Sequence, residues 1–156
     1  MQPTMGKPSL LYHGSQIYVP VLTPHQAHDG LSDVGTADGV FATPHRELAL
    51  VFALGGIPDE QGRITRLVQS IDPVRVIFLE GRPNRGGKGY LYTVDSATFH
   101  PLDDMQWISH EAVVPLHVEE INVDDYLYIV QAVTDEDRAA LLAKFNQEQR
   151  RPQEPT

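Results

Sequence analysis

The chemistry-bearing residues of this 156-residue chain come in a few short groups, and the first group lies near the start. Leu10-Leu11-Tyr12 is an apolar run that reads as a strand. His13-Gly14-Ser15 follows as a turn that receives an imidazole, an unobstructed backbone and a hydroxyl in consecutive positions. The loop Gly81-Arg82-Pro83-Asn84-Arg85-Gly86-Gly87-Lys88-Gly89 is the one concentration of positive charge, and its glycines would let backbone N–H groups turn toward a pyrophosphate or an acceptor phosphate. It lacks Walker spacing and a strand-to-helix context, so a flexible hairpin connection is the simpler reading. His25, His28, Asp29 and Asp33, and later His110, Glu111 and His117, are metal-ligand types. Neither set has a helical His-x-x-x-His pair with a third ligand at a recognisable spacing, so both read as solvated and no metal is expected. Asp124-Asp125 and Glu119-Glu120 read as exposed strand ends. No Gly-x-Ser-x-Gly elbow is present for serine hydrolysis.

Elements must position these groups. Val40-Phe41-Ala42 reads as a second short strand, with Pro20 to Gly39 before it as a surface loop. Thr43-Pro44 suits a helix start, the hydroxyl capping an orphan N–H and the proline having none to lose. Leu48, Leu50, Val51, Phe52 and Leu54 make that helix largely buried, and Gly55-Gly56 stops it. Strands are predicted over about 64 to 71, 74 to 79, 90 to 94, 106 to 110, 113 to 119 and 126 to 130, with alternation clearest in Val74, Val76 and Phe78. Thr134-Asp135-Glu136-Asp137 caps a second helix carrying Ala140, Leu141, Leu142 and Phe145.

The composition fits one folded unit. At 41% hydrophobic residues the chain can bury a core, and no internal repeat or linker divides it. The expected plan is a flexible lead over 1 to 9, one α+β domain over 10 to 145, and a Gln-, Arg- and Pro-rich tail over 146 to 156 that frays into disorder. The absence of cysteine excludes disulfides, thiolate zinc sites, iron–sulfur clusters and a cysteine nucleophile. A net charge of −9 repels phosphate backbones and weighs against a nucleic-acid coat, though a local basic site is allowed. No apolar run reaches the roughly 20 residues of a membrane helix, and the first nine residues carry no secretory signal pattern, so a cytoplasmic protein without a membrane partner is expected.

Taken in order, Tyr12-His13-Gly14-Ser15, then Gly39-Val40-Phe41-Ala42-Thr43 running into a buried helix, then Gly89-Tyr90-Leu91-Tyr92, then Gln106-Trp107-Ile108-Ser109 resemble the ADP-ribosyltransferase superfamily. The layout is most similar to the small rifampin ADP-ribosyltransferases over about residues 10 to 130. The resemblance implies a split mixed β-sheet core with few helices, NAD as ADP-ribose donor, and transfer to a small molecule or macromolecule. Splitting nicotinamide from NAD builds oxocarbenium-like charge on the ribose, so both ends of the scissile bond must be gripped. By this resemblance His13 bonds ribose hydroxyls, Gly14 offers its backbone to the carboxamide, Ser15 adds a hydroxyl, and Phe41, Phe52 and Tyr90 supply aromatic walls. All of these are expected to converge on one crevice. Many members carry a catalytic glutamate where Gln106 stands here, and Asp103, Asp104 and Glu111 are the carboxylates the resemblance offers for that role beside Gln106, with the choice among them open. Phe41 replaces the usual tyrosine. Those two departures sustain a rival reading, a nucleotide- or protein-binding module of the same fold without turnover. A third reading, an NAD-dependent RNA 2'-phosphotransferase, needs several Arg and His groups on the phosphate, and the sequence is poor in basic residues outside Arg82, Arg85 and Lys88.

Overall fold

The computed structural model describes residues 7–26 and 38–149. In chain order the elements are β1 (Leu10–Ser15), β2 (His25–Gln26), β3 (Asp38–Ala42), α1 (Arg46–Leu54), β4 (Thr65–Ile71), β5 (Val74–Glu80), β6 (Lys88–Asp95), β7 (Phe99–Pro101), β8 (Trp107–Ser109), β9 (His117–Asn122), a 3-10 helix (Val123–Ile129) and α2 (Asp135–Gln149). They form an α+β fold with the strands in three groups, ordered β1-β6-β9, β2-β3-β8-β7 and β4-β5. The ladders are antiparallel throughout the described residues, with a single parallel bridge between Val76 and Val130. No described helix is long and apolar enough to cross a membrane.

Strand period 2 gives the β1-β6-β9 sheet two different faces. Leu91 and Ile121 point to one side and join Ala49, Leu50, Val51, Ala53 and Leu54 of α1, together with Val74, Val76 and Phe78 of β5, in one core. Leu11, Tyr92 and Val94 point to the other and join Val40 and Ala42 of β3 with Phe99, Leu22 and Val113 in a second. Helix α1 comes down to the backbone of the sheet. A Cβ on Gly14 would lie 1.9 Å from the Ala49 carbonyl oxygen, and one on Gly89 1.9 Å from that of Ala53, so glycine is required at both crossing points.

Several expected boundaries move, each for a local reason. β1 continues through Ser15, because His13, Gly14 and Ser15 pair with Tyr92, Leu91 and Tyr90; the His-Gly-Ser group is strand and not turn. α1 begins at Arg46 with His45 as N-cap, two residues later than Thr43-Pro44 suggested. The Thr43 backbone is committed to a two-bond bridge with Tyr12, at 2.8 and 2.9 Å, and its hydroxyl accepts from the His45 N–H at 3.1 Å without capping the helix. Gly55, at φ 60°, ends α1 as expected.

Of the stretch expected as a strand over 126 to 130, residues 126 to 129 are part of the 3-10 helix and Val130 makes the parallel bridge to Val76. Val123, Tyr126 and Ile129 repeat every third residue, the period at which 3-10 side chains eclipse, and they turn toward the α1 core. Of the strand expected over 113 to 119, only the second half belongs to β9; Val113 makes an isolated bridge to Leu22. The presumed surface loop before β3 contributes β2. Residues 7 to 9 are tied down, since Lys7 donates to the Ala97 carbonyl, Ser96 donates through its hydroxyl to Pro8, and the Ser96 N–H donates to Ser9. Thr134 caps α2 by accepting from the Asp137 N–H at 3.0 Å, and the helix runs on through 146 to 149, where a frayed tail was expected. Residues 1 to 6, His28, Asp29, Asp33 and 150 to 156 lie outside the described residues.

Candidate functional site

β1 and β3 touch at the Tyr12–Thr43 bridge and then part, because the other end of β3 pairs with β2. At this fork the next link is made by a side chain. His13 Nδ1 lies 2.6 Å from the Phe41 carbonyl oxygen, and since a carbonyl only accepts, the Nδ1–H donates. The imidazole meets Tyr92 edge-on at 5.6 Å between centroids, and two residues along β6 the Tyr90 ring meets Tyr18 at 5.7 Å. The fully buried Tyr92 hydroxyl donates to the Ile17 carbonyl and accepts from the Val19 N–H, each at 2.8 Å, so it pins the segment after β1 across the sheet. Burial raises the pKa of this phenol above its ordinary value, and the Val19 N–H offsets part of that rise.

The opposite face, beyond the end of β1, holds a cavity of about 590 Å³ between the C-terminal end of α1 and the β4-β5 hairpin. Gly14 and Ser15 form one wall, the Phe52 ring of α1 another, and Thr65, Arg66 and Glu80 the floor. Its volume falls within the range of small-molecule sites. Gln16 folds over one side, with Nε2 reaching the Gly56 carbonyl at 3.5 Å.

Arg66 is 6% exposed, a burial that a guanidinium tolerates only when its charge is answered. Its Nη1 donates to the carbonyls of Val51 and Gly55, both at 3.3 Å, where the last turn of α1 leaves its carbonyls unsatisfied and its dipole negative. Glu80 is fixed from two sides. Its Oε1 accepts from the Thr65 hydroxyl at 2.6 Å, and its Oε2 lies 3.5 Å from Arg63 Nη1, with the carboxylate side chain 14% exposed.

The structure therefore divides the residues that the sequence grouped. Gly14, Ser15 and Phe52 line the cavity, whereas His13 and Tyr90 lie on the other face of the sheet. Phe41 meets His13 through its carbonyl; its ring points away from Val40 and Ala42, which enter the second core. Gln106, Asp103 and Asp104 belong to the β7-β8 turn, where Asp103 Oδ1 accepts from the N–H groups of Met105 and Gln106 at 2.8 and 2.7 Å. Glu111 is exposed at the far end of β8, its N–H donating to the Ser109 hydroxyl at 3.2 Å. None of these four lines the cavity. The glycine-rich basic loop is an ordered connection, with the Gly86 N–H donating to Asp124 at 2.8 Å and Lys88 paired with Glu120 at 3.2 Å.

Sequence reasoning missed Thr65, Arg66 and Glu80. Their signal is charge out of place: an arginine inside the apolar alternation of β4, and a glutamate closing the apolar run of β5. Among the described residues no group of three His, Asp or Glu side chains could hold a metal ion. Comparison with family models, with curated proteins and with solved structures finds no match to this chain.

Proposed function

We propose that the chain is an NAD-dependent mono-ADP-ribosyltransferase of the split-sheet superfamily its motifs resemble, taking the nicotinamide end of NAD into the α1 cavity. One observation carries the reading: Gly14, Ser15 and Phe52, expected at the nicotinamide from the motifs alone, meet around a single cavity of about 590 Å³. Gly14 and Ser15 bring the end of β1 to the cavity wall, the Ser15 hydroxyl accepting from the Ile17 N–H at 3.2 Å. The pyridinium is a flat cation, and an aromatic face such as that of Phe52 attracts it through the ring quadrupole. In this reading His13 is a positioning residue: its bond to Phe41 holds β1 at the fork and so fixes Gly14 and Ser15.

Release of nicotinamide from labelled NAD, with mixed small-molecule and protein acceptors present, tests the proposal. Turnover above the uncatalysed background is expected, and none at any protein concentration would sink it. A second reading, binding without turnover, draws on the distance of Gln106 and the β7-β8 carboxylates from the cavity. Calorimetry that registers NAD or ADP-ribose binding while no nicotinamide appears would favour it.

A further inference from the structure

We infer that Glu80 is the catalytic carboxylate of this cavity, the group that faces the reacting ribose; the inference rests on the NAD reading above. Three observations carry it. Among the described residues that line the cavity, Glu80 is the one carboxylate, while Asp103, Asp104 and Glu111 lie elsewhere. Its two oxygens are held by groups from different positions, Oε1 by Thr65 at 2.6 Å and Oε2 by Arg63 at 3.5 Å, so its orientation is set before any ligand arrives. It is mostly shielded from water, at 14% side-chain exposure, so its field is screened less than that of an exposed carboxylate. The cation paired with it is that of Arg63, whose side chain is 65% exposed, while Arg66 donates to the Val51 and Gly55 carbonyls.

The step balances as a substitution at the anomeric carbon. The bond from C1' to the nicotinamide nitrogen breaks and its electron pair leaves on the ring, giving neutral nicotinamide. The oxocarbenium-like ribose is stabilised by the Glu80 carboxylate and by a hydrogen bond that Glu80 accepts from a ribose hydroxyl. An acceptor oxygen or nitrogen, or water, then bonds C1' and loses one proton to solvent. Glu80 enters and leaves the cycle unchanged, so no further reagent is required.

The test is steady-state nicotinamide release by the wild type, Glu80→Gln, Glu80→Asp and Thr65→Val. For Glu80→Gln, kcat should fall roughly 100-fold while KM for NAD changes by less than about threefold, the signature of an interaction made in the transition state. Glu80→Asp keeps the charge and should retain more activity than Glu80→Gln. Thr65→Val frees the carboxylate without removing it and should lose roughly tenfold in kcat; this variant also covers the case in which Glu80→Gln does not fold. A wild type that turns over while Glu80→Gln or Thr65→Val matches it, or while Glu80→Asp is no better than Glu80→Gln, overturns the assignment and leaves the NAD reading intact. A wild type that releases no nicotinamide overturns both.

Discussion

The two faces of the β1-β6-β9 sheet are built on opposite principles. On the α1 face the contact is backbone to backbone, with Gly14 and Gly89 bare beneath the carbonyls of Ala49 and Ala53. On the other face large side chains do the packing, and polar pins such as Tyr92 to Ile17 and Val19, or His13 to Phe41, hold the covering segments. The first arrangement leaves no slack, because neither partner can change rotamer to make room. The second has more freedom to adjust. A cavity of fixed shape forms where the rigid contact ends, at the last turn of α1, and this is where a site needing preorganised groups gains most.

The sharpest way to break this contrast is to add a methyl group under α1. Gly14→Ala and Gly89→Ala each drive a Cβ to 1.9 Å from a backbone oxygen, so each should destabilise the fold by about 3 kcal/mol or more. Urea titration checks this, and a loss below about 1 kcal/mol would mean that α1 can lift off the sheet. Across the sheet, Tyr92→Phe leaves the Ile17 carbonyl and the Val19 N–H without the partner they had, at a cost of about 1–2 kcal/mol near neutral pH.

The same residue carries a pH dependence with a definite sign. Its folded-state value is raised above its ordinary value, so the folded chain favours the protonated phenol. That contribution is complete below about pH 10 and is lost as pH rises through the folded-state value. Wild-type stability should therefore fall more steeply above pH 10 than that of Tyr92→Phe, as paired urea melts at pH 9 and pH 11 would read. The smallest effect is expected at the fork. His13→Ala should lose about 1 kcal/mol of stability, and it should slow nicotinamide release less than Glu80→Gln does, since it acts through β1 and not on the ribose. A larger loss of turnover in His13→Ala than in Glu80→Gln would show that the aromatic face is the reacting one.

Much of the fold was legible locally. The alternation of Val74, Val76 and Phe78, the apolar face of α1, Gly55 at its end and the Thr134 cap follow from short-range rules and reappear in the structure. Where reading failed, a distant partner had taken over the backbone. Thr43 could not cap α1 because Tyr12 held it in a bridge, and His13-Gly14-Ser15 could not turn because β6 paired with them. Of the candidate site, Gly14, Ser15 and Phe52 were visible as residue types near one another in motif order. Glu80 was not, because it lies 28 residues past Phe52 and meets that group only across the β4-β5 hairpin.

The sequence by itself determined the α+β character, the lack of any cysteine chemistry, the glycine that ends α1 and the threonine that caps α2. Each of these depends on interactions within a few residues, where side-chain period, glycine freedom and capping decide the outcome. Only the tertiary structure decided that His13 and Gly14, adjacent in the chain, serve opposite faces of a sheet, and that Glu80 and Arg66 close a cavity begun by β1 and α1. The physical reason is that strand pairing and helix docking join segments tens of residues apart, and a buried charge settles where such segments together supply its hydrogen bonds.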